Sequence, residues 1–531
     1  MVVIAGMALA GPIAFEDWSD RVDVEVVGSS DGLHGVALFD VDLDGDLDIW
    51  HTNGLRGYSL LLENDGRGGL TEVHGDWLIP DGGAHSGVLA VDFDGDGRTD
   101  VLELSDGSMT KLVMSPSRLL WNKGDHFEVA PPSVLSDLLP PSQLVATAAD
   151  IDLDGDLDLF VGAPGRLRRN LPDASVLLRN DGGTFTDITA SAGMPDLLSC
   201  AAAFVHLDGD AYPDLVSGGC LFGPHTVRHF VNQGDGTFVD VGLDERMWEV
   251  GWWMGVAAAD FDEDGTTDLF MTNIGADAGA AHALYLREEE DPMWVESADQ
   301  GGVDAAQYAW GVTAPDFDND GHADLFFAGN PRNPDIAEFG SPGRLFAGDG
   351  TGGFAAMDLP VDLTERSASG VAQGDLDGDG FPDVVVGVGH DPVTLEPGLP
   401  VVLHNTGNGN GWLTVELSQE LPNGAAVGAL VVATTPDGTR QRRQVQAGTS
   451  FGSTESLWPT IGLGEHTAAE VDVRWPDGTW EHFGTVDAEQ RLRLVRGGGL
   501  PQGVGRASRG GDAGGCVVAR GGPGWVWARR R

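Results

Sequence analysis

A nine-residue acidic loop recurs seven times along this 531-residue chain, at intervals of 52 to 59 residues. A fixed period of that size makes each repeat a supersecondary unit that buries its apolar face against its neighbours, in a stacked or radial array. The residues at positions 1, 3, 5, 7 and 9 identify the copies. They are Asp40, Asp42, Asp44, Asp46 and Asp48 in DVDLDGDLD; Asp92, Asp94, Asp96, Arg98 and Asp100 in DFDGDGRTD; and Asp150, Asp152, Asp154, Asp156 and Asp158 in DIDLDGDLD. The fourth, HLDGDAYPD, has His206, Asp208, Asp210, Tyr212 and Asp214. The fifth, DFDEDGTTD, has Asp260, Asp262, Asp264, Thr266 and Asp268; the sixth, DFDNDGHAD, has Asp316, Asp318, Asp320, His322 and Asp324; the seventh, DLDGDGFPD, has Asp375, Asp377, Asp379, Phe381 and Asp383.

The spacing is that of a calcium loop. Carboxylates at positions 1, 3 and 5 curl round a hard cation, a glycine at position 6 permits the sharp turn, position 7 offers its backbone carbonyl and position 9 closes the shell. Six copies have all of these features, so about six calcium ions are expected. In the fourth, His206 replaces the first Asp and Ala211 the glycine, which leaves Asp208, Asp210 and Asp214 as a weak or empty site. An EF-hand needs a Glu at position 12 and flanking helices, whereas here the flanks are short apolar runs. One Asp-Gly loop would be an ordinary turn. Four Asp at one spacing, repeated, repel one another unless a cation neutralises them.

Position 2 is apolar in every copy (Val41, Phe93, Ile151, Leu207, Phe261, Phe317, Leu376), and so is the residue after position 9 (Ile49, Val101, Leu159, Leu215, Leu269, Leu325, Val384). These read as strand ends pinned into a core. Five copies carry a Gly-Val pair whose glycine lies five residues before the first Asp (Gly35, Gly87, Gly255, Gly311, Gly370). A second strand leaves the loop, a third ends in an Asn- and Gly-rich turn, and a fourth follows. Four strands in each of seven units predict an all-β fold, a seven-bladed β-propeller with calcium loops over residues 15–404. The segment Ala14 to Asp20 reads as a fourth strand, and the seventh unit stops after its third, Val401 to Asn405, so the N-terminal strand is expected to complete the last blade. Residues 405–496 read as alternating strands, a small C-terminal β domain, and 497–531 as a Gly/Arg-rich flexible tail.

Composition narrows the partners. With 83 Asp plus Glu against 30 Lys plus Arg, the formal charge is −53, which argues against nucleic acid or an anionic membrane surface as a partner. Six divalent ions would reduce it to −41. Residues 1–14 form an apolar run too short to cross a bilayer but suited to a signal-peptide core, with small residues at Ala8, Ala10 and Ala14; a buried strand is the alternative. Cys200 and Cys220 flank the fourth loop symmetrically, either as a disulfide or as two buried thiols.

The D-x-D-x-D-G-x-x-D loops with their Gly-Val and Asn-x-Gly surroundings resemble the FG-GAP/VCBS repeats of integrin α-subunit propellers. WLTVEL (Trp412 to Leu417), QAGTSFGSTES (Gln446 to Ser456), IGLGEH (Ile461 to His466) and VDVRWPDGTWEHF (Val471 to Phe483) resemble the ASPIC/UnbV domain. In that order the two are similar to the cartilage acidic protein family, which implies an extracellular calcium-binding propeller.

Two functions follow. The first is a secreted or surface calcium-binding propeller with a non-catalytic binding or adhesion role toward an extracellular protein or glycan. Its exposed aromatics would be sought at Trp252-Trp253 and Tyr308 to Trp310, which core packing explains equally well. The alternative is an extracellular enzyme of carbohydrate lyase, dehydratase or oxidoreductase type, with His34, His51, His85, His225, His229, His282 or His390 as acid or base. Gly448-Thr-Ser450-Phe-Gly452 matches a nucleophile-elbow pattern but lacks its strand-to-helix setting, and reads as a polar turn.

Overall fold

The computed structural model describes residues 13–24, 33–52, 59–73, 77, 85–105, 116–165, 174–220, 225–274, 281–288, 291–304, 308–329, 343–363, 366, 368–389, 398–499 and 502–504. The chain is all β: among these residues the α-helical content is one turn, Ala298–Gly301.

Seven sheets follow one another, antiparallel but for the edge strand Val22–Asp23 that joins Leu70–Glu72 in parallel in the first, each with a strand that runs into an acidic loop. The opening strands are Val36–Phe39, Gly87–Val91, Val145–Ala149, Ala201–Val205, Trp253–Ala259, Val312–Thr313 and Ala368–Gly374. Each packs against the next, and the last packs against the first, so they form a closed cycle around an axis. The final sheet is completed from the other end of the chain: Phe15–Asp17 pairs with Val401–Asn405, Phe15 opposite Asn405. That pairing removes an open edge at the joint.

The apolar residues that bracket each loop hold it to the core. Ile49, Val101, Leu159, Leu215, Leu269, Leu325 and Val384 are fully buried, and every position-2 residue is buried as well. The Gly-Val signal has a steric cause at the axis, where the opening strands crowd. A Cβ on Gly35 would collide with the Gly452 carbonyl, and one on Gly370 with Ser453 Oγ.

The residues after 405 form two four-stranded sheets. One runs Thr460–Gly464, Gly411–Ser418, Gln490–Val495, Gln502–Val504, and the other Arg440–Gln444, Leu430–Thr434, Ala468–Arg474, Trp480–Asp487. Gln502–Val504 is thus a paired strand within the stretch expected as tail; residues 505–531 lie outside the described residues. This C-terminal module shares one core with the ring, in which Leu413, Val431, Val471 and Trp475 join Leu89, Leu102 and Leu159.

The module also sends a segment into the ring. Residues 446–456 enter the axis and bond to the opening strands around it. Ala148 N donates to Ala447 O (3.0 Å), Ser450 N to Val256 O (3.0 Å), Val88 N to Gly452 O (3.0 Å), Thr454 N to Val36 O (2.9 Å) and Ser456 N to Gln373 O (3.1 Å). Val312 N donates to Ser450 Oγ at 3.1 Å. Phe451, fully buried, lies among Leu144, Cys200, Cys220, Met254 and Trp310. A peptide bonded through its backbone to five of the seven units, and through the Ser450 hydroxyl to a sixth, is a plug, and it fills the axis of the ring.

Candidate metal loops

Each acidic loop is built on one hydrogen-bond plan. The position-9 carboxylate accepts the position-2 N–H on one oxygen: Val41 N to Asp48 (2.9 Å), Phe93 N to Asp100 (2.9 Å), Ile151 N to Asp158 (2.9 Å), Leu207 N to Asp214 (3.2 Å), Phe261 N to Asp268 (2.8 Å), Phe317 N to Asp324 (2.7 Å) and Leu376 N to Asp383 (2.9 Å). Its other oxygen accepts a backbone N–H from the third strand, as Asn64 N does for Asp48 and Asn405 N for Asp383. Position 9 is therefore a buried bracket between strands as well as a candidate ligand. In the six intact loops the position-6 N–H donates to position-1 Oδ2, from Gly45, Gly97, Gly155, Gly265, Gly321 and Gly380, at 2.7 to 3.0 Å. These glycines have φ between +86° and +106°, the left-handed region that favours glycine.

The third-strand Asn does a second job that sequence reasoning missed. Its side-chain amide crosses to the preceding unit and donates to the position-2 carbonyl: Asn122 to Val41 (2.8 Å), Asn180 to Phe93 (2.9 Å), Asn232 to Ile151 (2.9 Å), Asn405 to Phe317 (2.7 Å), and Asn64 back to Leu376 (2.8 Å). Arg287 Nη1 replaces Asn at the fifth unit, bonding Leu207 O at 2.7 Å. At the sixth, Gly352 N reaches Phe261 O. The Asn-x-Gly turns were the visible trace of this belt.

The carboxylates converge. Asp40, Asp42 and Asp48, then Asp92, Asp94 and Asp96, then Asp150, Asp152 and Asp158, then Asp260, Asp262 and Asp268, and finally Asp377 and Asp383 with His404, each bring one ligand atom apiece within 4.8 Å of the others. Burial raises the acids: Asp40, Asp92 and Asp260 to about 6, Asp150 and Asp379 to about 7, Asp48, Asp100, Asp158, Asp268 and Asp316 to about 8. One buried oxygen in each of four loops, Oδ1 of Asp94, Asp150, Asp260 and Asp377, has no hydrogen-bond partner. Buried carboxylate oxygens without donors are what a cation would satisfy.

The loops are not equal. In the second, Arg98, expected to contribute only its carbonyl, turns its guanidinium onto Asp96, and Lys123 Nζ meets Asp94 Oδ2 at 3.1 Å. His322 pairs with Glu263 of the fifth loop, which raises its pKa to about 9. The fourth loop follows another path, with Ala211 at ordinary negative φ.

The module lies on this loop face. Arg491 Nη1 donates to Gly45 O, Pro422 stands against Gly95 and Gly155, Arg442 against Gly265, and Trp412 against Gly380. Gly464 N donates to Asn319 O at 2.8 Å.

Other candidates fall elsewhere. Of the two readings of these aromatics core packing holds: Trp253, Tyr308 and Trp310 are buried and Trp252 is partly buried, and Trp252, Tyr308 and Trp310 join the cluster around the plug's Phe451. Cys200 and Cys220 form a disulfide, Cα–Cα 5.7 Å, packed beside Phe451. It closes the fourth hairpin at the end away from its loop. The histidines are dispersed and engaged. His34 and His51 stack at 5.0 Å, His85 lies 3.5 Å from Glu103, His229 Nδ1 lies 2.8 Å from Glu245, and His282 Nδ1 accepts from Asn273 N. Burial holds His282 down at about 4 and His51 well below the usual range. His390 lies outside the described residues, as does the His225 side chain. Ser450 is fully buried in the plug.

Family models agree with this layout. FG-GAP-like repeats match residues 40–103, 206–271 and 316–386, an FG-GAP repeat matches 367–413, and ASPIC and UnbV matches 419–501. Cartilage acidic protein 1 of Homo sapiens is 28% identical over 504 residues, 84% of this chain and 69% of that protein. The Xenopus tropicalis protein of the same name is 26% identical over 84% of this chain and 70% of its own. Among solved structures, YCF48 from Cyanidioschyzon merolae aligns with 74% of this chain and 98% of its own at 11% identity and a TM-score of 0.39, too loose a likeness to carry an argument.

Proposed function

We propose that this chain, which belongs with the proteins that join FG-GAP repeats to an ASPIC and UnbV domain, is an extracellular calcium-stabilised seven-bladed propeller that binds a partner and carries out no chemistry of its own. The observation that carries the calcium reading is the set of four buried, unpartnered carboxylate oxygens, each in a different intact loop. Asp40, Asp92, Asp150, Asp260, Asp316 and Asp375 would supply the first ligand of each site, with positions 3, 5 and 9 and the position-7 carbonyl completing the shell. The ion would neutralise carboxylates that otherwise repel, and would fix the loops on which the module sits.

The binding reading draws on the plug. A substrate site along the axis would need that axis open, and here the peptide 446–456 occupies it. Apart from the stacked pair His34 and His51, the buried histidines lie in separate units. A protein or glycan partner is the counterpart we assign, met outside the loop face. Export fits calcium supply, which is abundant outside cells. Cleavage after Ala10 would leave the buried Ile13 and the 2.9 Å bond from Thr406 N to Ala14 O in place. No helix among the described residues is long and apolar enough to cross a membrane. The domain limits 15–404 and 405–496 belong to the same proposal.

Calorimetric titration of EDTA-stripped protein tests it. About six calcium ions per chain are expected; absence of calcium binding would sink the reading and reopen the enzymatic alternative.

A further inference from the structure

The fourth loop lacks the first ligand and the turn glycine, yet it keeps Asp208 and Asp210, both solvent-exposed. What has taken the place of an ion there is visible in the module. Arg474, in the VDVRWPDG stretch, places Nη1 3.4 Å from Gly209 O and 3.2 Å from Asp210 O. Burial lowers its pKa from the ordinary guanidinium value, and Asp210 and Asp208 oppose that only in part. His206, at the first position, turns away from the loop: its Nε2 donates to Gly428 O of the module at 3.1 Å, and its backbone N to Gln444 Oε1 at 3.4 Å. Burial and then the neighbouring Arg474 lower its pKa to about 4, so it stays neutral at neutral pH and brings no charge toward a cation. Ala211 packs against the module turn at Gly478, where a Cβ would come within 3.0 Å of its own. Both substitutions that spoil the loop for a metal therefore face the module.

We propose that the fourth loop has exchanged its ion for a protein cation: the Arg474 guanidinium of the C-terminal module takes the Gly209 and Asp210 carbonyls, and the loop serves as a metal-independent latch that seats the module on the ring. The other six loops also touch the module directly, yet keep their first carboxylate and turn glycine; this one has lost both and is held by Arg474 and His206 instead. The expected number of ions rests on the calcium reading above, whereas the latch itself does not.

The test counts calcium bound at equilibrium by four proteins: wild type, Arg474→Ala, His206→Asp with Ala211→Gly, and the triple variant. About six ions are expected for the first three and one more for the triple variant, because repairing the loop avails nothing while Arg474 occupies it. A seventh ion in the wild type or in the double variant overturns the proposal, as does a folded triple variant with no added ion. No ions in any protein would remove the calcium reading instead. The latch is then decided by melting in EDTA, where Arg474→Ala is expected to lower the transition by several degrees; an unchanged transition overturns it.

Discussion

The Asn64 amide donates to the Leu376 carbonyl at 2.8 Å, a bond that joins the first repeat to the last across 312 residues of sequence. It is the closing member of a belt whose other members link adjacent units. Asn64→Ala leaves that carbonyl without its donor, and the Leu47 carbonyl, bonded by the same amide at 3.0 Å, as well. A loss of about 1–3 kcal/mol is expected for a buried group so orphaned. Denaturant unfolding of Asn64→Ala beside Asn122→Ala checks it, and the two should be similarly destabilised.

Arg98 and Lys123 already neutralise Asp96 and Asp94, so the second loop should be the weakest of the six for calcium. Arg98→Ala combined with Lys123→Ala is expected to tighten one ion out of the set by roughly tenfold or more, since two like charges leave the site. A titration in which no site tightens would show that these pairs do not compete with the ion.

The pH response of the metal-free protein should run opposite to ordinary acid denaturation. Asp40, Asp92 and Asp260 titrate at about 6 and Asp48, Asp100, Asp158 and Asp268 at about 8, above their unfolded value, because burial disfavours the charged form. The folded state thus holds more protons than the unfolded one. Stability from these groups is fully present below their unfolded pKa and is lost as pH rises through about 6 to 8. Melting in EDTA should fall over that window, and calcium should reverse the fall. A melting point in EDTA that climbs from pH 5 to pH 8 would contradict this.

Phe451 is the apolar anchor of the plug. Phe451→Ala is expected to cost about 3–5 kcal/mol, the usual range for a buried aromatic. Hydrogen exchange should rise at Val88, Ser450 and Thr454, whose N–H groups form the plug's bonds. Exchange confined to the module alone would mean that the plug does not hold the ring.

Much of this architecture could be read from residue spacing. The loops, the buried residues on either side of them, the strands between and the N-terminal strand completing the last sheet all follow from local patterns, because each unit repeats the same local physics. What escaped were contacts between units. Asn64, Asn122 and Asn180 read as turn residues, since nothing in a local window shows an amide reaching the neighbouring sheet. Gly35 and Gly370 read as strand openers, although crowding at the axis is what excludes a side chain there. Gly448 to Gly452 reads as a polar turn, because its backbone partners Val256 and Val88 lie hundreds of residues away. Whether Trp310 was a surface or a core residue stayed open for the same reason: Phe451, which packs against it, comes from the module. The damage to the fourth loop was plain at His206 and Ala211, but its counterpart, Arg474, was not.

The central claim is that the intact loops hold divalent ions and the fourth does not. Anomalous diffraction from crystals grown in calcium tests it most directly. The account predicts about six peaks, each enclosed by the position-1, -3 and -5 carboxylates of an intact loop, with none beside Asp208 and Asp210. Loops without peaks in well-ordered crystals would contradict it.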